Sequence, residues 1–378
     1  MLAASRTDPL CVMALLAPAS GGTEPYRLLL LRNSIGPDGV SWVEELDPDS
    51  LEPVARSADL DLGPFWPGGM GVLADGAVVV VQGRFVHRLD PDLGLAATRR
   101  MDVEAPHNSF VVLGDGSLAL KDLQFPDGTP SVLSVVDPVT LADRCAPFVL
   151  PEPSVARLAA DGDEVVVVGV DALHRVAFDS TAGALTPAAP PLTYRTHADQ
   201  SYGWDPVCDA GAIWWLDNGD HTFPNGMTML GNGVSAGPVR LWRAVGGDLS
   251  SVEVSGLPKG AVTNPPVVDP RRGIVVAYDS ANGVAAAFDT ASLAERWRVP
   301  LRTATHLVAH PDTGELIADD HDPVSGDALV VVGLDEGDVR VRVDVSSPAQ
   351  SVVFGCPGWR RDHYVVSLST VARVCFGD

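Results

Sequence analysis

A four-strand unit repeats along nearly the whole chain, and this constrains the fold more than any other feature of the sequence. The unit is clearest over residues 264–299. There an apolar strand (NPPVVD) is followed by a turn (PRRG), a second strand (IVVAYD), a turn (SANG), a third strand closing on Asp (VAAAFD) and a fourth (AERWRV). Residues 71–103 repeat it as GVLADG, AVVVVQG, RFVHRLD, PDLG and LAATRRMDV. Further copies start near Asn108, Val155, Trp204, His306 and Ser351. Their spacing is roughly 43–50 residues, stretched to about 60 where residues 222–237 insert a long Gly-rich loop. Short apolar runs bounded by Gly, Asp and Pro read as strands, and helical periodicity is almost absent.

Four strands recurring every ~40–50 residues define a β-propeller blade, because each twisted sheet can bury its faces only against its neighbours. A sandwich would need fewer strands, and a parallel α/β sheet would need crossover helices. The expected fold is therefore all-β, with residues 1–378 forming one propeller and residues 222–237 lying over its funnel face. Residues 10–58 read as a complete unit and six more follow. Residues 350–376 then supply only three strands (SVVFG, HYVVSL, TVARVCF). A strand from the extreme N-terminus would complete the last blade and fasten the ring. This count gives eight four-stranded blades; seven, with the N-terminal part packed outside, is the alternative.

The repeat text V-V-D … I-V-V-A-Y-D-S-A-N-G-V-A-A-A-F-D … W-R-V resembles the PQQ-like (quinoprotein-type) repeat propellers. The turns LDPDLGL and VDPVTLA are similar to those of the YncE-type relatives. The resemblance covers most of the chain and implies a fold, not an activity. Quinone-binding members carry adjacent cysteines over the cofactor. This chain has none, so no PQQ is expected.

Composition narrows the partners. The net charge of −23 disfavours nucleic acid and anionic membranes, which reward positive surface. With 46% hydrophobic and 20% charged residues, the chain can bury a large core. The five cysteines (Cys11, Cys145, Cys208, Cys356, Cys375) show neither disulfide-framework nor zinc-ligand spacing, which suits free thiols in a cytoplasmic protein. The apolar run at residues 10–17 followed by Ala17-Pro18-Ala19 leaves secretion as the alternative, although Asp8-Pro9 directly precedes it.

In a propeller, the segment leading into each innermost strand and the loop after each second strand open on the same face. Polar residues at those places converge on one funnel. The leading segments carry His107-Asn108, Trp204-Asp205, Asn264, His306 and Gln350. The second strands end in Lys121-Asp122, Asp217-Asn218 with His221 beyond, Asp279-Ser280, and Asp320-His321. The equivalent places at Gln82-Gly83 and Gly169-Val170 are chemically mute. Lys121 is one of only two lysines, the other being Lys259.

The expected acid–base groups are His107, Asp122, His306, Asp320 and His321. Substrate contacts are expected from Asn108, Lys121, Trp204, Asp205, Asp217, Asn218, His221, Asn264, Asp279, Ser280 and Gln350. Each has a plainer reading as well: a solvated strand end, an Asx turn at 217–220, or a hydrogen-bonded core histidine. Trp214-Trp215 reads as inter-blade packing, one ring to each face of the sheet. No cofactor is expected. Ca²⁺ on the 217–220 acids, which lack the ordered ligand spacing, or iron on His107, His221, His306 and His321 are the metal alternatives.

No nucleophile-elbow, zinc-protease, P-loop or dinucleotide motif is present. The expected function is therefore a hydrolase or lyase acting on a small uncharged or cationic molecule through dispersed His and Asp. The alternative is a non-catalytic propeller that binds a ligand or a protein.

Overall fold

The second strand of each repeat is the one that must be apolar on both faces, because it lies between two neighbouring sheets. In the computed structural model Tyr26–Asn33, Val78–Gln82, Leu118–Asp122 and Ile274–Asp279 are buried along essentially their whole length. Fourth strands lie at the rim and alternate between exposed and covered positions, as in Leu95–Arg100 and Val339–Val345. The structure describes residues 1–7, 11–18, 26–34, 39–61, 68–125, 128–196, 200–209, 211–217, 237–260, 265–303, 306–322, 326–345, 356–358, 361–366 and 370–376.

The strands form eight antiparallel sheets. Their innermost strands are Cys11–Pro18, Gly69–Val72, His107–Val112, Ala159–Asp161, Val207–Asp209, Val267–Asp269, Val308–His310 and Cys356–Pro357, which number blades 1 to 8 in chain order. Each innermost strand touches the next, and the last touches the first, so the ring is closed. The chain is an eight-bladed β-propeller, as the repeat count anticipates.

Alternation distributes each strand's side chains between two inter-blade cores. Leu28 and Leu30 pack against Tyr364 and Val366 of blade 8, whereas Leu29 and Leu31 pack against Met70, Val78 and Val80 of blade 2. Val79 and Val81 face the opposite way, toward Leu118 and Leu120 of blade 3. Trp215 joins the core shared by blades 4 and 5, and Trp214 joins the one running through blades 5, 6 and 7. The two tryptophans thus divide between the sheet faces as their adjacency requires.

The turn between third and fourth strands repeats one design, with an Asp cap in blades 1, 3 and 6 and a left-handed leucine in these and in blade 2. An Asp carboxylate caps two following N–H groups: Asp47 takes Asp49 and Ser50, Asp137 takes Val139 and Thr140, and Asp289 takes Ala291 and Ser292. A leucine then adopts the left-handed backbone region, at Leu51, Leu93, Leu141 and Leu293 with φ of 62°, 67°, 59° and 59°. That conformation is costly for leucine. Burial of Leu51, Leu93 and Leu141 between blades offsets it. Blade 8 takes its outermost strand, Leu2–Thr7, from the N-terminus; it pairs with Thr370–Cys375.

Candidate binding site at the channel mouth

The residues just ahead of the innermost strands line one mouth of the central channel. Those of blades 3, 4, 5 and 7 form a connected polar cluster there. His107 opens the first strand of blade 3 and stands opposite Asp122 in the ladder. Its backbone N–H donates to Gly83 O of blade 2. Beside it Lys121, only 1% exposed, donates from Nζ to Asp122 O and to Ser154 O, each at 2.8 Å. Ser154 belongs to the segment leading into blade 4, as does Arg157. The Arg157 N–H donates to Asp205 Oδ1 at 2.6 Å, and its guanidinium lies 3.9 Å from Asp205 Oδ2. Asp205 leads into blade 5. Arg157 is also an electrostatic neighbour of His306, which leads into blade 7.

Burial decides the charge states. It is the main force lowering His107 to about 4, and the nearby Lys121 charge adds to it. Burial, then Arg157, also drives His306 well below the ordinary imidazole range. Lys121 falls to about 8, again through burial, opposed by Asp122 and Asp205. Asp205 is raised by burial, with Arg157 and Lys121 pulling it back. At neutral pH the two imidazoles are therefore uncharged hydrogen-bonding groups. An acid–base catalyst is most effective when poised near the working pH, so this environment does not favour the acid–base roles expected of His107 and His306. Neither ring nitrogen of His107 has a hydrogen-bond partner, nor does Asn108 Oδ1, although all three atoms are buried.

A cavity of about 270 Å³ opens on the channel wall beside this cluster. Met13, residues 68–71, Ser109, Phe110, Val112 and Arg157 line it. Arg157, about a fifth exposed, is the only charged group among these described lining residues. Gly69 and Gly71 reflect close approach of blades 2 and 3: a Cβ on Gly69 would lie 3.2 Å from Ser109 Cα, and one on Gly71 would lie 2.8 Å from the Phe110 ring.

The acids at the second-strand ends are engaged in hydrogen bonds within the fold. Asp122 accepts from Val132 N at 2.5 Å and from Gln124 Nε2 at 2.6 Å, clasping the loop that follows its strand. Asp217 accepts from Arg240 N and, at 3.0 Å, from Trp242 Nε1; burial pushes it up to about 7. Asp279 takes Ser255 Oγ at 2.6 Å and Asn282 Nδ2 at 2.7 Å, and the Ser280 hydroxyl donates to Thr303 O. Asp320 accepts from Arg302 N at 3.0 Å and pairs at 2.6 Å with Arg342 on the outermost strand of blade 7. Asp122 meets the cluster through its carbonyl, which accepts from Lys121, whereas the bonds named for Asp217, Asp279 and Asp320 run to other residues.

Trp204 is half-buried against Val155, Val170 and Tyr202. Its position is set by Gly203, whose N–H donates to the Tyr194 hydroxyl. A Cβ on Gly203 would fall 2.3 Å from Val168 Cγ1 and 2.7 Å from Trp215 Cδ1. Gly203→Ala is expected to cost about 2–3 kcal/mol through overpacking, read as a fall in the denaturant midpoint at unchanged slope. Asn218, His221, Asn264 and Gln350 lie outside the described residues, as do the side chain of His321 and the inserted loop up to residue 236.

Arg157 is the group that sequence reasoning missed. It sits in a blade read as mute because its second strand ends in Gly169-Val170. The available signal was a lone arginine in the apolar stretch Val155-Ala156-Arg157-Leu158, two residues ahead of its innermost strand, as Asp205 is in blade 5. Among the described residues no group of three His, Cys, Asp or Glu side chains is placed to hold a metal. Burial pushes the Cys208 and Cys356 thiols up to about 12, which makes them poor nucleophiles.

Fold and site together define a repeat β-propeller with a polar channel mouth. The chain is similar to BamB from Moraxella catarrhalis, at 13% identity and a TM-score of 0.65 over 99% of this chain and 98% of that one. It is also similar to virginiamycin B lyase from Staphylococcus aureus, at 11% identity and a TM-score of 0.52 over 81% and 93%. A streptogramin B lyase structure gives 11% and 0.51 over 81% and 92%. At these identities the likeness is one of fold. The sequence matches no protein-family model and no curated relative.

Proposed function

We propose that this propeller binds a small organic molecule at the channel mouth, with Arg157 receiving a carboxylate or comparable oxyanion while the ligand's apolar body lies against Met13, Met70 and Phe110. The observation that carries this reading is a single guanidinium lining an otherwise uncharged cavity. A planar cation with several donors suits a two-oxygen anion, and water exclusion strengthens the contact. An anionic ligand thus replaces the uncharged or cationic one expected from sequence. His107 and Asn108, with unpartnered polar atoms nearby, are the candidates for further ligand contacts.

Hydrolysis or elimination is the second reading. It is favoured by Lys121, an amine brought to about 8 within electrostatic reach of Asp205, and by a fold shared with streptogramin-type lyases. A protein ligand is the remaining alternative.

Calorimetric titration with phenylacetate and with phenylacetamide tests the binding reading. The acid is expected to bind at least about tenfold more tightly than the amide, and Arg157→Gln to remove that preference, while Arg157→Lys retains part of it. Equal binding of acid and amide by the wild type, or an unchanged preference in Arg157→Gln, would overturn the assignment.

A further inference from the structure

We propose that a cavity between blades 7 and 8, on the face opposite the channel mouth, is a second binding site and takes a small organic amine. It measures about 400 Å³, within the range of small-molecule sites. His310 closes the innermost strand of blade 7 and Glu315 opens the next, so the cavity lies at the far end of the channel from Arg157. Its apolar wall is Ala309, Ile317 and Phe376.

The polar wall has acceptors to spare. Asp362 is only 1% exposed; its Oδ2 receives Arg373 Nε at 2.7 Å, but its Oδ1 is buried with no hydrogen-bond partner. His310 Nε2 is likewise buried and unpartnered. Nearby, His363 Nδ1 is in the same position. The surrounding cations, by contrast, are committed. Arg361 bonds Glu315, and Arg340 pairs with Asp338 at 3.1 Å and lies 3.9 Å from Glu315. Arg373 reaches Asp49 at 2.6 Å as well as Asp362. Asp312, also on the lining, pairs with Arg271.

Unsatisfied buried acceptors are costly, and for Asp362 Oδ1 the missing partner is a donor; His310 Nε2 accepts beside it in the tautomer that carries its proton on Nδ1. The free oxygen of Asp362 belongs to a carboxylate, and a charged donor bonds a carboxylate more strongly than a neutral one, which selects a cation. An ammonium group can donate to Asp362 Oδ1 and His310 Nε2 together while its hydrocarbon covers Ile317 and Phe376. Gly358 makes room for the Asp362 carboxylate itself. A Cβ there would stand 1.7 Å from Asp362 Oδ1, so any side chain would displace the carboxylate.

Titration of the full chain with 2-phenylethylamine and with 2-phenylethanol at pH 7.5 tests the site. The amine is expected to bind with Kd below ~1 mM and at least about tenfold more tightly than the alcohol. Asp362→Asn, Gly358→Ala and His310→Gln are each expected to weaken the amine about tenfold or more. Should Asp362→Asn fail to fold through loss of its Arg373 pair, His310→Gln carries the test, because that imidazole Nε2 has no partner to lose. Arg157→Gln should leave amine binding unchanged, which separates this site from the channel mouth. Equal affinity for amine and alcohol, wild-type amine binding in His310→Gln, or loss of binding in Arg157→Gln would overturn the proposal.

Discussion

Deleting residues 1–7 is expected to lower thermal stability by several degrees and to make the chain self-associate. The strand Leu2–Thr7 is the outermost member of blade 8, and five of its residues pair with Thr370–Cys375. At about 1 kcal/mol net for each ladder hydrogen bond, its loss removes roughly 4–5 kcal/mol, a large part of the net stability of an ordinary domain. The strand also reaches sideways, because Arg6 donates to Leu51 O at 3.3 Å and lies 3.7 Å from Glu44, both in blade 1. It therefore helps hold the first and last blades together. Without it, Thr370–Cys375 becomes a bare edge, which invites pairing with another chain. Thermal unfolding and size-exclusion chromatography read both effects, and a synthetic peptide of residues 1–10 should reverse them. An unchanged melting temperature in the truncated monomer would refute the closure role.

Lys121→Met should destabilise the protein, and by more at pH 10 than at pH 7. In the folded chain burial lowers the Lys121 ammonium to about 8, against 10.5 when unfolded. Below pH 8 both states hold the proton, and the folded state carries the full cost of the buried charge. Between pH 8 and 10.5 the unfolded chain binds more protons than the folded one, so wild-type stability rises with pH. The rise amounts to about 3 kcal/mol. The neutral amine still has two hydrogens for its two acceptors, Asp122 O and Ser154 O. Methionine fills the space but removes both bonds; Ser154 O keeps the Gln124 N–H as a donor at 3.0 Å, so the loss falls mainly on Asp122 O, at about 1–3 kcal/mol. Part of that loss is masked at pH 7 by relief of the buried charge. Urea unfolding of both proteins across pH 7–10 measures the difference. A gap that stays constant or narrows with rising pH would show that Lys121 is not buried as a strained cation.

The repeat and its alternation made the architecture legible. Leu28 to Leu31 shows why: consecutive leucines on one strand can all be buried only if both faces of the sheet are covered, and a ring of sheets covers both. The three-stranded tail at 350–376 likewise demanded a partner strand, and Leu2–Thr7 supplies it. The polar cluster at the channel mouth was legible only in part. Position in the repeat brought His107, Lys121, Asp205 and His306 to one mouth. The same rule also selected Asp217, Asp279 and Asp320, whose hydrogen bonds to loops and neighbouring strands give them a structural task. Residue type and repeat position are identical for a clasp and a ligand contact; the bonding partner distinguishes them, and it lies tens of residues away.

The sequence by itself determined the blade and the need for ring closure, because these follow from local strand patterning and from the need to bury two-faced sheets; it favoured eight blades over seven, and the structure settled on eight. Only the tertiary structure decided which polar groups are already bonded within the fold and which are left to face a cavity. It placed Arg157, paired with Asp205, at the channel mouth, and it left the Asp362 Oδ1 and His310 Nε2 atoms without hydrogen-bond partners on the opposite face. Hydrogen-bond satisfaction and desolvation depend on distances between blades, and no local pattern along the chain records those distances.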